Sequence, residues 1–420
     1  MVKWLFEIFV LLYFYIIIII IAMIHSIDFE HYRVFSNKQQ LRLAPLTVVF
    51  GKNNTGKSAV LKLPMLIHSA IGCEINDVFQ KVDDCGGVIC DEYRDVVYGK
   101  GNNAVRLDIK NDRGDLSLMV KFIAETIVDV SHSRIEEISI FDQQKQKSLI
   151  AKVDDNGVMR NEETGEEAVF HGIVPAEFVG RAWVNNSLQK IKDTIDYIGP
   201  VRWKPDRYFS MDEHTDGTSG FDGKNAYTYL VKDSKNAVHP LLDKVSEWYK
   251  TNFGGWSLVV NNSRAPVYSI ELKNEKFSNN ILDAGFGIQQ SLPIVVSAFR
   301  EYDSPTLVII EEPETHLNPS AHAQIGELLA VASQSDSNKK FLVETHSLNL
   351  MIRLRALIAK GVLRRDDVAL YYVEYDENKC SSNLREVTID EKGDVQNWPE
   401  NIFKDTLNEA LALRQAQMSR

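Results

Sequence analysis

The segment Gly51-Lys52-Asn53-Asn54-Thr55-Gly56-Lys57-Ser58 satisfies the pattern G-x-x-x-x-G-K-[ST], and its flanks give that pattern physical meaning. The apolar run Leu46-Thr47-Val48-Val49-Phe50 ahead of it predicts a buried strand. Ser58-Ala59-Val60-Leu61-Lys62-Leu63 behind it predicts the first turns of a helix. Glycines let backbone N–H groups turn inward around an anion, Lys57 supplies a point charge for outer phosphates, and Ser58 offers a hydroxyl to Mg²⁺. The eight residues therefore predict a loop that cradles the phosphates of a nucleoside triphosphate. Such a loop restricts the fold to a mostly parallel sheet whose carboxyl edge faces the ligand.

A second element far downstream fits the same edge. Thr306-Leu307-Val308-Ile309-Ile310 is a β-branched apolar run ending in Glu311-Glu312, the way a buried parallel strand delivers carboxylates to the end of a sheet. By position, Glu311 is expected to hold Mg²⁺ through its water shell, and Glu312 to polarise the attacking water.

These motifs carry a resemblance. Glu311-Glu312-Pro313-Glu314-Thr315-His316-Leu317-Asn318-Pro319 resembles the Walker B and D-loop of ABC-type ATPases, particularly the bacterial AAA-family ATPases related to OLD, RecF and SMC proteins. Phe341-Leu342-Val343-Glu344-Thr345-His346-Ser347 resembles their next strand, with His346 as the switch histidine. Leu282-Asp283-Ala284-Gly285-Phe286-Gly287-Ile288-Gln289-Gln290 is similar to their signature segment. The resemblance implies an α/β fold: a P-loop NTPase of ABC-ATPase type, with a mixed central sheet, an antiparallel β-subdomain and a helical signature lobe. It also implies an ATPase using ATP and Mg²⁺, with Glu312, His346 and Lys57 catalytic, and Ser58 and Glu311 at the metal. Asp283, Gly285 and Gly287 would serve in trans, on the ATP of the opposite protomer, across a homodimer of ATP-sandwiched heads. The chain departs from the usual pattern with Asp283-Ala284 where Ser-Gly is common, and with Asn318 where many relatives carry aspartate. No glutamine marks a Q-loop in Asp91–Gly99.

Arg202 and Arg207 resemble a G-P-x-R segment of the same family, with a nucleotide contact and a surface ion pair as the two open readings. The cations Arg353, Arg355, Lys360, Arg364 and Arg365 read as a solvated face rather than a nucleic-acid contact. The OLD family carries a Toprim nuclease domain, yet no D-x-D follows His346, so an ATPase without its own nuclease is expected. The expected role is a nucleotide-dependent dimerising switch controlling an effector, such as a separately encoded nuclease, in anti-phage defence or DNA repair. An ATPase subunit energising a membrane complex is the alternative. Nucleic acid remains a possible partner, although 58 acidic against 47 basic residues give no support to a general phosphate-backbone binder.

Ile8 to Ile24 is uncharged and would reach about 26 Å as a helix. Ile24-His25-Ser26-Ile27-Asp28-Phe29 alternates as an opening strand and leaves no linker to a membrane helix. A native start at Met23 and a cytoplasmic protein are therefore expected, the alternative being an inner-membrane anchor through residues 5–24. Cys73, Cys85, Cys90 and Cys380 have neither zinc spacing nor a disulfide framework. The expected organisation is a hydrophobic segment 1–22 and a head over 23–420. Within the head, 23–160 is the phosphate-loop lobe with an antiparallel meander, 161–300 a mixed lobe with the signature, and 301–420 the acidic strand, switch histidine and C-terminal strands. Pro64 is expected to bend or end the first helix.

Overall fold

Continuous apolar runs make strands that must be covered on both faces, and they form the central sheet. In the computed structural model, residues 22–398 are described, apart from 85, 128, 177–180, 211–214, 216, 237 and 239. The strands, in chain order, are β1 (Ile24–Glu30), β2 (Gln39–Arg42), β3 (Leu46–Gly51), β4 (Val105–Asn111), β5 (Leu116–Ile127), β6 (Val130–Asp142), β7 (Lys147–Val153), β8 (Met159–Asn161), β9 (Phe170–His171) and β10 (Val174–Pro175). They continue as β11 (Thr194–Ile198), β12 (Phe209–Ser210), β13 (Ser257–Arg264), β14 (Val267–Lys273), β15 (Ser278–Asn280), β16 (Thr306–Glu311), β17 (Lys339–Thr345), β18 (Val368–Asp376), β19 (Ser381–Ile389) and β20 (Val395–Gln396). The α-helices are α1 (Lys57–Gly72), α2 (Arg181–Leu188), α3 (Asn225–Asp233), α4 (Pro240–Asn252), α5 (Phe286–Phe299), α6 (Pro319–Ser335) and α7 (Leu348–Ala359).

The central sheet runs β11-β16-β17-β3-β18-β19-β20. Its first five strands are parallel, and β18 to β20 turn antiparallel. Strand alternation divides the apolar residues between two cores. Leu307, Ile309 and Leu342 face the core shared with α1 and the antiparallel sheet. Val308, Ile310, Phe341 and Val343 face the core beneath α5, α6 and α7. Because the strands are parallel and in register, Glu311 pairs with Glu344, and Thr345 with Phe50, so their ends reach one edge beside Gly51.

The antiparallel sheet, β2-β1-β4-β5-β6-β7-β8, alternates buried and exposed along β4 and β5, as a one-faced sheet must. The meander expected between 104 and 153 is present, and it is extended by β1 and β2 from ahead of the phosphate loop. A small sheet of β12, β13, β14 and β15 packs with α3, α4 and α5 and shares the core beneath that face of the central sheet. Pro64 does not end the first helix: α1 continues to Gly72, and Leu63, Met65, Leu66 and Ile67 are all buried around it. Burial of that apolar surface outweighs the roughly 3 kcal/mol a mid-helix proline costs.

The readings of the hydrophobic N-terminal stretch, a segment 1–22 or an anchor through residues 5–24, lie outside the described residues as far as residue 21. Among the described residues no helix is long and apolar enough to cross a membrane. The strand predicted at Ile24 is β1, and its first N–H donates to Asp193 Oδ2 at 3.1 Å. Asp193 is 2% exposed and its Oδ1 has no partner among the described residues. Burial pushes its carboxyl from 3.8 up to about 7, against the pull of Lys340. A carboxyl whose folded pKa is raised binds its proton more tightly in the native state, so stability is full below about 4 and is lost as pH rises to about 7. The loss is on the order of 4 kcal/mol. Asp193→Asn should therefore flatten the pH dependence of thermal unfolding and raise the melting temperature at pH 8. An unchanged melting profile between pH 5 and 8 would contradict this.

Candidate nucleotide-binding site

The loop between β3 and α1 owes its path to Gly56. This residue has φ of +105°, and a Cβ there would lie 2.4 Å from Val34 Cγ2, so only glycine closes the turn onto the preceding segment. Thr55 Oγ1 and Lys57 Nζ both donate to the Lys52 carbonyl, at 3.0 and 2.8 Å. Ser382 Oγ on β19 donates to the Thr55 carbonyl at 2.6 Å and braces the loop from the antiparallel side of the sheet. Lys57, at 4% exposure, is buried against Glu344, its Nζ 3.5 Å from Oε1. Ser58 Oγ donates to Glu344 Oε2 at 2.8 Å.

A cavity of about 600 Å³ opens in front of this loop. Asn53, Asn54, Gly56, Lys57 and Ser58 line it on one side, and Glu312, Glu344 and His346 on the other. Residues from the two ends of the chain thus share one cavity. The unassigned segment Asp91–Gly99 belongs to it as well, through Asp95, Val97 and Gly99, with Lys100 beside them. No residue type in that segment announces a phosphate or base contact, so only the fold places it.

Glu312 has just left β16: its φ is +45°, and its N–H donates to the Glu344 carbonyl at 2.9 Å. Its side chain reaches toward His346, with 4.0 Å between Oε1 and Nε2. Burial lowers the His346 imidazole below its ordinary value and Lys57 adds to this, while Glu312 and Glu314 oppose it. The ring is therefore held neutral near pH 7. Glu314 binds the neighbouring strand, accepting from Thr345 Oγ1 at 2.8 Å and from the His346 N–H at 2.6 Å. Burial pushes the Glu344 carboxyl up to about 7; Ser58 and Lys57 pull it down, and Glu311 and Glu312 push it further up.

Glu311, expected to hold Mg²⁺ through its water shell, ends β16 in register with Glu344 but is set back from the cavity. Its carboxylate accepts from Tyr197 OH on β11, burial raises its pKa, and it does not line the cavity. The carboxylate beside Ser58 belongs to Glu344, a residue the motif reading passed over. Parity puts Glu344 with Leu342 on the face that carries α1, but Glu311 shares that face with Ile309, so the pattern alone does not choose between the two acids.

Arg202 resolves its two readings differently from both. It is 4% exposed and donates through Nη2 to the carbonyls of Glu311 and Glu312, the latter at 3.1 Å. Burial lowers the guanidinium to about 10, with Glu314, Glu312 and Glu311 resisting. It therefore fixes the backbone of the acidic turn from behind. Arg202→Ala leaves two carbonyls and the acidic group uncompensated. We expect a loss on the order of 3–5 kcal/mol in thermal or denaturant unfolding, and turnover falling further than apparent nucleotide affinity. Arg207 instead makes a bidentate surface pair with Asp283, 2.8 Å on each arm.

The signature residues do not line the cavity within one chain. Asp283 is held by Arg207, Gly285 caps α5, and Gly287 packs so tightly that a Cβ would meet the His316 carbonyl at 2.7 Å. Phe286 crosses the His316 ring edge-on at 4.6 Å, so this lobe abuts the turn that follows Glu312. Asn318 caps α6, accepting from the Ala321 N–H at 3.0 Å. His322 ties that turn to the switch strand through Ser347 Oγ at 3.0 Å and the Leu317 carbonyl at 3.1 Å. Arg353 and Arg364 are engaged by Glu327 and Asp367, in keeping with a solvated face.

Residues 231–352 match the family described as "AAA domain, putative AbiEii toxin, Type IV TA system", a span containing the signature, both acids and His346. Residues 363–413 match "Protein of unknown function (DUF3696)". No curated protein matches the chain by sequence. Among solved structures, the SmcHead bound to the C-winged helix domain of ScpA is 11% identical, with a TM-score of 0.43, over 87% of this chain and 98% of that one. The SMC head domain from Thermotoga maritima is 10% identical, with a TM-score of 0.42, over 87% and 100%. The Smc head domain with an extended coiled coil bound to the C-terminal domain of ScpA, derived from Pyrococcus furiosus, is 12% identical, with a TM-score of 0.43, over 88% and 97%. With its phosphate loop, acidic strand and switch strand at one sheet edge, the chain carries a P-loop nucleotide-binding fold of the ABC/AAA ATPase type.

Proposed function

We propose that the chain binds and hydrolyses ATP, and that nucleotide-dependent dimerisation of two such heads switches an effector. The observation that carries this is the convergence of Lys57, Ser58, Glu312, Glu344 and His346 on one cavity, although 255 residues separate Lys57 from Glu312 (312 − 57). The loop N–H groups and Lys57 receive the β- and γ-phosphates. Glu312 accepts the proton of the water whose oxygen attacks the γ-phosphorus, the bond to the β-bridging oxygen breaks, and ADP leaves. The neutral His346 ring donates to a γ-phosphate oxygen, held in place by Glu314 on its own N–H. Ser58 with the carboxylates of this edge supplies hard oxygen donors that fit Mg²⁺, and Ser58 with Glu344 or Glu311 would hold it. When bound, Mg²⁺ supplies positive charge to the phosphate oxygens as the leaving group departs.

The switch reading draws on the lobe of α5 and on Phe286 and Asp283, exposed where a second head would meet the nucleotide. The resemblance to OLD-related ATPases supports an effector supplied as a separate chain, a nuclease in defence or repair being the first choice, and a cytoplasmic setting. Within this reading the head divides at 160 and 300 into the phosphate-loop lobe, the signature lobe, and the segment of the acidic strand, switch histidine and C-terminal strands. The test is phosphate release by the purified full chain with ATP and Mg²⁺, read together with its mass in solution with and without ATP. No release by the wild-type chain, alone or with the products of adjacent genes, would remove the enzymatic reading.

A further inference from the structure

The carboxylate that meets the phosphate loop comes from the strand of the switch histidine, not from the acidic pair at the end of β16. Ser58 Oγ and Glu344 Oε2 lie 2.8 Å apart. Two adjacent oxygen ligands of an octahedral Mg²⁺, with bonds of 2.0–2.1 Å, stand about 2.9 Å apart, so the pair is already at the separation of cis ligands. Glu344 lines the cavity, whereas Glu311 does not and is engaged by Tyr197 OH. Glu312, Glu344 and His346 each present a ligand atom, all within 4.8 Å of one another, so donors converge at Glu344 rather than at Glu311.

Resting on the ATP reading above, we propose that Glu344 is the protein carboxylate that directly ligates the nucleotide-bound divalent cation, beside Ser58, and that Glu311 serves as a buried support for the strand end. The hydroxyl hydrogen bond now joining Ser58 to Glu344 is replaced by shared coordination, and Lys57, 3.5 Å from the same carboxylate, turns from it to the phosphates. The metal ligand and the γ-phosphate sensor are then two residues apart on one strand. Loss of either the cation or the γ-phosphate acts on the same element, β17, which pairs on both sides with the phosphate-loop strand and the acidic strand.

The experiment uses the full chain, Mn²⁺ as a paramagnetic probe, and β,γ-imido-ATP. Bound Mn²⁺ is read by electron paramagnetic resonance, and analogue binding without metal by fluorescence. Glu344→Gln should keep metal-free analogue binding, which shows that the loop is folded, while Mn²⁺ affinity of the analogue complex falls at least about tenfold. Glu311→Gln should leave Mn²⁺ affinity near the wild-type value. Mn²⁺ binding unchanged in Glu344→Gln and lost in Glu311→Gln overturns the assignment. If the wild-type chain binds no analogue even without metal, the ATP reading itself fails, which the metal-free arm reveals separately.

Discussion

Glu312→Gln should lower ATP turnover by about 10²–10⁴-fold, the usual contribution of a positioned general base. The substitution keeps the side chain's size and its acceptor for Thr315 Oγ1, now 3.1 Å from Oε2. It removes only the capacity to take the proton of the attacking water. Phosphate and nucleotide contacts made by Lys57 and the loop are untouched, so ATP should remain bound. A chain that holds ATP without cleaving it should accumulate as the ATP-bound dimer, visible as a doubled mass in size-exclusion chromatography with light scattering. Turnover at the wild-type rate would falsify the base assignment. A monomer that binds ATP but never associates would instead remove the dimerising switch and leave the chemistry standing.

Lys57→Ala should act one step earlier, on binding. The ammonium is almost fully buried, and its partners, the Lys52 carbonyl at 2.8 Å and Glu344 at 3.5 Å, keep it at the mouth of the loop. Each hydrogen bond to a charged group contributes about 1.5–3 kcal/mol, so loss of two to the phosphates predicts a fall in ATP affinity of about hundredfold or more. Calorimetric titration with a non-hydrolysable analogue reads this directly. The same variant leaves the Glu344 carboxylate without its neighbouring cation. Its pKa, already lifted to about 7 by burial, should rise further, and the apo protein should lose stability as the pH increases through that range. Unaltered analogue affinity would mean that the loop holds something other than phosphate.

Much of this site was legible in the chain, for identifiable reasons. The phosphate loop is a local structure: strand, glycine-dependent turn and helix are set within about twenty residues by backbone sterics and apolar periodicity. The strands β16, β17 and β18 were legible for the same reason, since a sheet buried on both faces requires unbroken apolar runs. The motif marks Arg202 but not its task, because bonding to the carbonyls of residues 311 and 312 depends on β11 lying beside β16. Pro64 does not end α1 because the core around the helix outweighs a helix-breaking propensity worth about 3 kcal/mol, and that core is not visible in the local sequence. Asp95, Val97 and Gly99 carry no pattern at all, and they reach the cavity only because the loop from α1 to β4 folds back over it.

The division between Glu311 and Glu344 shows where the boundary falls. By itself the sequence determined that a phosphate loop exists and that carboxylates arrive at a sheet edge, because each depends on the apolar pattern of a strand or on a short turn, whereas His346 was marked only by the resemblance. Which carboxylate meets Ser58 was decided only by the tertiary structure. That outcome depends on strand order, β17 lying between β3 and β16, which places Glu344 next to the loop and Glu311 one strand further away, against Tyr197. Strand order is set by long-range packing of whole elements, a quantity no local run of residues encodes.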